Sequence, residues 1–212
     1  MKKKTFYHII LDRSGSMSSC WDTTITALNE ELLRVTTLRQ KHEDQDIFLS
    51  VCVFNETVLI PVPASNEANP DMSWTILAQP AGLTALYDAI GDSINYLKSQ
   101  QASKQNESEN FVVIVISDGH ENSSRRYHPI QLKREMDHLQ NSGNWMFAFI
   151  GADFDITQTA STFGISQNNI YNSEKSKIGE TFSLIGEMLD ETIELKKQGK
   201  NKNGFFSSGD AK

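Results

Sequence analysis

Short continuous apolar runs alternate along this chain with segments whose apolar residues recur every three or four positions, and that alternation restricts the fold more than any other feature. A strand buried on both faces requires a continuous run, and such strands alternating with amphipathic helices specify a largely parallel sheet covered on both sides. Residues 6–11 form the first run. Residues 21–39 then place Ile25, Leu28, Leu32, Val35 and Leu38 on one helical stripe that must pack on the sheet.

Residues 46–55 and 57–62 are β-rich and joined at Asn55-Glu56, too close for a crossover helix, which predicts an antiparallel hairpin. Its second strand lies at an edge, blunted by Pro61 and Pro63. Residues 64–80 read as a loop with at most a short strand over 74–77. Leu86, Ile90, Ile94 and Leu97 predict the next helix, and the polar run 100–110 a surface loop after it. Residues 111–116, the most hydrophobic run, predict a central strand. Pro129 opens a helix that runs to about Asn141 and stops at Ser142-Gly143. A buried strand over 145–150, a short helix over 156–163 and a last short strand over 169–171 follow. Ile178, Phe182, Ile185, Leu189 and Ile193, widened by Leu184 and Met188, predict the closing helix. From Gln198 onward Gly, Asn, Lys and Ser dominate, which predicts one domain over residues 1–199 and a disordered tail over 200–212.

A chain of 212 residues, 38% of them hydrophobic, needs neither a disulfide framework nor a structural metal to bury a core. No repeat and no linker divides it, so a single α/β domain is expected. A net charge of −7 argues against a nucleic acid partner. Cys20 and Cys52 lack any framework spacing and read as buried free thiols of a reducing compartment. Lys2, Lys3 and Lys4 precede an apolar run, but Asp12 and Arg13 end it too soon for a secretory signal. No run of about 18 apolar residues and no lipidation signature is present. These features predict a soluble cytoplasmic protein, monomeric on its own and without a membrane partner.

Three oxygen-bearing side chains stand two residues apart in Asp12-Arg13-Ser14-Gly15-Ser16, directly after the first strand. Ligands of open α/β sheets bind beyond the carboxyl ends of the strands. Asp118 reaches that edge after the strand over 111–116, and Thr84 reaches it from a third loop, just before a helix. Five hard oxygen donors without a nearby His or Cys cluster select Mg²⁺, Mn²⁺ or Ca²⁺ over zinc or copper, with octahedral Mg²⁺ or Mn²⁺ expected.

In this order the residues resemble the von Willebrand factor A (vWA) family, whose metal-ion-dependent adhesion site (MIDAS) carries Asp-x-Ser-x-Ser, a later Thr and a later Asp. The resemblance spans residues 5–195 and implies a Rossmann-like three-layer α/β/α fold, its mostly parallel central sheet having one antiparallel edge strand. It further implies that Ser14, Ser16 and Thr84 are hydroxyl ligands, while Asp12 and Asp118 act through bound water or switch between direct and outer contact. Residues 84–90, 117–124 and 149–152 look most like the stand-alone bacterial and phage members, except that His120 stands where an acidic residue is expected. In some members the last helix shifts on ligand binding, which extends that expectation to residues 178–193.

Neutral hydroxyls offset little of a divalent ion's charge, so such an ion stays electrophilic and takes an Asp or Glu of a protein partner into its open position. The expected function is therefore metal-dependent protein recognition, not catalysis. Two alternatives stand beside it: a metal-dependent hydrolase or phosphatase-like enzyme using His120 and Glu121 as acid and base, and a metal-independent scaffold. No second carboxylate cluster supports a two-metal hydrolase. Ser16 lacks the following glycine of a nucleophile elbow, and Ser14 stands where a phosphatase motif would need a second Asp. Asp153 and Asp155 also follow a strand, where residues can enlarge the site, but the preferred reading makes them caps of the short helix after them.

Overall fold

The odd and even residues of the first apolar run face opposite sides of a sheet in the computed structural model, which describes residues 2–66, 73–101, 109–153 and 155–207. Its strands are β1 (Lys3–Asp12), β2 (Gln45–Phe54), β3 (Val58–Ser65), β4 (Glu109–Ser117), β5 (Trp145–Ala152) and β6 (Ile170–Ser173), in the order β3-β2-β1-β4-β5-β6. All neighbours pair in parallel except β2 with β3, so the hairpin's second strand is the antiparallel edge. The helices are α1 (Trp21–Lys41), α2 (Trp74–Leu77), α3 (Leu86–Gln100), α4 (Pro129–Asn141), α5 (Thr157–Thr162) and α6 (Ile178–Lys197).

Tyr7, Ile9 and Leu11 share one core with Leu28 and Leu32 of α1 and Phe182, Ile185 and Leu189 of α6. Phe6 and Ile10 share the other with Leu86 and Ile90 of α3, Leu132 and Met136 of α4, and Phe163. The side-chain period of two divides each continuous run between these cores, which is why the runs carry no polar alternation. Cys20 lies in the first core and Cys52 in the second, both buried and free. Across the amino-terminal half of the sheet Phe48, Phe6, Phe111 and Trp145 stack on adjacent strands, with successive ring centroids 4.9, 4.9 and 4.2 Å apart. Each pair occupies one rung of the sheet, so the stack fixes the register of four strands. No helix among the described residues is long and apolar enough to cross a membrane.

Three stretches differ from the sequence expectation. Residues 74–77 form a single helical turn, not a strand, and residues 67–72 of that expected loop lie outside the described residues. The expected loop over 100–110 begins and ends inside regular structure: Gln100 closes α3, and Glu109 and Asn110 open β4 opposite Lys4 and Thr5 of β1. Residues 102–108 lie outside the description. The expected tail over 200–212 instead folds back through residue 207, with residues 208–212 outside the described part. Phe205 is 0% exposed in the α1/α6 core, and its N–H donates to Asn169 Oδ1 at 2.6 Å. Lys202 Nζ ties the segment down through Glu191 at 2.8 Å and the Phe205 carbonyl at 2.7 Å. One buried phenyl ring outweighs the polar composition around it.

Helices α1 and α6 meet closely at Gly186, where a Cβ would fall 2.2 Å from Arg34 Cδ and 2.8 Å from Glu31 Oε2. Glu31 is buried there, with Arg34 Nε 3.5 Å from its Oε2 and no well-formed hydrogen bond to either oxygen. Burial pushes its carboxyl up to about 7, against the opposing pull of Arg34 and the Tyr7 hydroxyl.

Two predictions follow from this packing. Folding raises the Glu31 pKa, so the group favours the folded state fully at low pH and loses that contribution as pH rises through 7. Glu31→Gln should therefore gain stability over the wild type between about pH 5 and pH 8, by on the order of 3 kcal/mol in denaturant unfolding. A pH-independent difference would contradict it. Phe205→Ala should cost about 3 to 5 kcal/mol in the same assay, whereas a disordered tail predicts no change.

Candidate metal centre

The chain passes from β1 to β2 and β3 on one side, then crosses to β4 on the other, so β1 and β4 flank the point where strand order reverses. Crevices at such points are the ligand sites of open α/β sheets. Asp12 is the last residue of β1, and Ser117 the last of β4, with Asp118 directly after it.

Asp12 is 0% exposed and bridges the two strand ends. Its Oδ1 accepts the Ser14 N–H at 2.7 Å and its Oδ2 the Ser117 hydroxyl at 2.6 Å. Burial, reinforced by the charge of Asp118, pushes the carboxyl up to about 6 against these hydrogen bonds. The Asx turn aims the next two serines: Ser14 Oγ and Ser16 Oγ lie 3.1 Å apart, and Ser16 Oγ donates to Asp118 Oδ1 at 2.7 Å.

The third loop is docked on the first by its backbone. Ala81 N–H donates to the Arg13 carbonyl at 3.0 Å, and Gly15 N–H to the Gly82 carbonyl at 3.1 Å. Gly82 takes a left-handed φ of 74°, a conformation that favours glycine, and the Glu56 carboxylate packs where a Cβ would stand. Thr84 is then buried with its backbone clamped by Asn122: Thr84 N–H donates to Asn122 Oδ1 at 2.9 Å, and Asn122 N–H to the Thr84 carbonyl at 3.0 Å. Its hydroxyl is left to face Gly119, whose notional Cβ would lie 3.5 Å from Thr84 Oγ1 and 3.7 Å from Ser16 Oγ. Asp12, Ser14, Ser16, Thr84 and Asp118 thus converge on one place from three loops.

The loop after β4 is braced against the start of α3 by two carboxylates, Asp88 of the helix and Glu121 of the loop itself. Asp88 accepts the N–H groups of Arg125, Arg126 and Tyr127, and although burial pushes its carboxyl up, these bonds and the Arg126 guanidinium hold it below its ordinary value. Glu121 accepts from the N–H groups of Tyr87, Ser123 and Ser124 and from the Ser124 hydroxyl.

Four further residues belong to the site: Ser117 and Asn122, which the sequence offered only as part of the segment 117–124, Asp153, read there chiefly as a cap, and Lys175, which carries no sequence signal. Lys175, in the turn between β6 and α6, places Nζ 2.5 Å from Asp118 Oδ2 and 2.9 Å from the Ser16 carbonyl. Burial works against its charge, but the Asp118 carboxylate outweighs it and raises the Lys175 pKa. Asp153 does not cap α5 as expected: at φ 58° its Oδ1 accepts the Lys175 N–H at 2.9 Å. Asp155 does meet the expectation, accepting the Thr157 N–H at 3.0 Å.

Among the described residues no three His, Cys, Asp or Glu side chains are grouped to hold a metal ion. A cation here would instead rest on three hydroxyls and two carboxylates, a hard-oxygen set that suits Mg²⁺, Mn²⁺ or Ca²⁺. Of these side chains, Asp118 is ion-paired with the Lys175 ammonium through its Oδ2.

No protein-family model matches the sequence, and no curated protein matches it. Solved structures do. The chain is similar to the vWF domain of the type V pili tip protein Mfa5 from Porphyromonas gingivalis, with TM-score 0.61 and 8% identity over 90% of this chain and 96% of that one. It is similar to the pilus adhesin SpaC from Lactobacillus rhamnosus GG, with TM-score 0.64 and 12% identity over 90% of this chain and 30% of that one. It is also similar to a von Willebrand factor type A protein from Catenulispora acidiphila, with TM-score 0.54 and 16% identity over 90% of this chain and 42% of that one. It therefore spans nearly all of the Mfa5 domain and less than half of the other two. With five parallel strands, one antiparallel edge and helices on both faces, the chain has the von Willebrand factor A fold.

Proposed function

We propose that this chain is a metal-dependent protein-interaction module that takes an acidic side chain of a partner through a divalent cation. The observation that carries this reading is the Ser16 to Asp118 hydrogen bond, with Thr84 Oγ1 beside it at the switch point of the sheet. Ser14, Ser16 and Thr84 would hold the ion directly, and Asp12 and Asp118 would act on it through water. A bound Mg²⁺ or Mn²⁺ supplies an electrophilic coordination position that a partner's Asp or Glu completes. The names of Mfa5, a pilus tip protein, and SpaC, a pilus adhesin, accord with a recognition role. The acid–base role of Glu121 in a hydrolase is disfavoured, because both its oxygens are committed to bracing the loop.

Calorimetric titration with Mn²⁺ tests the reading, with thermal unfolding as a control for folding. The wild type should bind one ion saturably, and Thr84→Val, which keeps the backbone clamp but removes the hydroxyl, should weaken binding by about tenfold or more. No binding to the folded wild type at about millimolar Mn²⁺ would overturn it.

A further inference from the structure

Lys175 brings a cationic side chain into the donor cluster from a segment far from the other donors in sequence. Its backbone N–H is fixed by Asp153 Oδ1 at 2.9 Å, and its ammonium reaches across to Asp118 Oδ2 at 2.5 Å and the Ser16 carbonyl at 2.9 Å. Asp118 has a 0% exposed side chain, so Lys175 supplies the positive charge that a buried carboxylate needs. The arrangement joins the loops after β1, β4 and β6 through one ammonium group.

We propose that Lys175 is the resident cation of this centre, holding Asp118 until a divalent ion displaces it. The inference rests on the metal-binding reading and adds a residue that sets the affinity and the order of events. A dication next to Asp118 must break the existing ion pair, and it is repelled by an ammonium left in place. The four-carbon stem of lysine lets the head group swing out toward solvent while its backbone stays anchored at Asp153. The Lys175 side chain is 20% exposed, so that path is open.

The test compares Mn²⁺ affinity, read from the electron paramagnetic resonance signal of free Mn²⁺, in the wild type, Lys175→Gln and Lys175→Arg. Lys175→Gln removes the charge and should bind Mn²⁺ about tenfold or more tightly, while Lys175→Arg retains it and should stay near the wild type. Equal affinity in the wild type and folded Lys175→Gln would overturn the proposal and leave the metal site standing. Absence of binding in all three chains would overturn the site itself and this inference with it. A measurement on the wild type alone covers the case in which Lys175→Gln does not fold. The ¹⁵N resonance of the Lys175 ammonium should be protected from exchange without metal and lose that protection on addition of Mg²⁺. Protection that persists at saturating Mg²⁺ would equally overturn the proposal.

Discussion

The pairing of β1 with β4 determines where everything else in this molecule stands. β1 is bonded along both edges and buried on both faces, and β4 runs beside it in register from Lys4 opposite Glu109 to Leu11 opposite Ile116. Their carboxyl ends therefore finish side by side, and Asp12 ties them with one oxygen on each. A carboxylate buried at that junction is costly unless its oxygens are bonded, so the same contacts that fix the loop after β1 make Asp12 tolerable. The aromatic stack at the other end of the strands prevents a slip that would separate Asp12 from Ser117.

Two buried carboxylates show how differently one fold treats such groups. Glu31 sits between α1 and α6 with no well-formed hydrogen bond, so its burial is simply a load on the helix interface. Asp12 is embedded in donors that also organise Ser14 and Ser117, and its neighbour Asp118 is balanced by an ammonium. The first is a matter of packing; the second is a hydrogen-bonded cluster in which one carboxylate is also paired with an ammonium. Its hydroxyls contribute position without charge, which leaves the cluster responsive to what enters it.

Much of this was legible in the sequence because the constraint is local. The run over 111–116 had to be a strand buried on both faces, and the spacing from Ile178 to Ile193 had to be one helical stripe. The sequence singled out Asp12, Ser14 and Ser16 by a fixed spacing after a strand, Asp118 by its place directly after another, and Thr84 by its place just before a helix. Residues 74–77 were misread because four residues do not reveal a period, and Ile76 and Leu77 remain exposed despite their apolar character. The hook at Phe205 was hidden by composition, since two phenylalanines among glycines, asparagines, serines and lysines contribute little to an average, yet Phe205 is buried in the core with Phe206 packed against it. Lys175 was illegible for a different reason: its partners are set by how β6 joins the sheet, and no spacing rule connects it to Asp118.

The placement of the two cysteines has a practical consequence. Cys20 and Cys52 sit on opposite sides of the sheet, so no local rearrangement brings the sulfurs together, and burial pushes the Cys52 thiol up to about 12 and raises that of Cys20. Neither forms thiolate readily at neutral pH. A cysteine introduced at Leu83, which is 51% exposed beside Thr84, would then be the thiol that alkylating probes reach first. The native background is in this sense chemically silent, and a fluorophore or spin label can be set at the rim of the centre without first removing either natural cysteine.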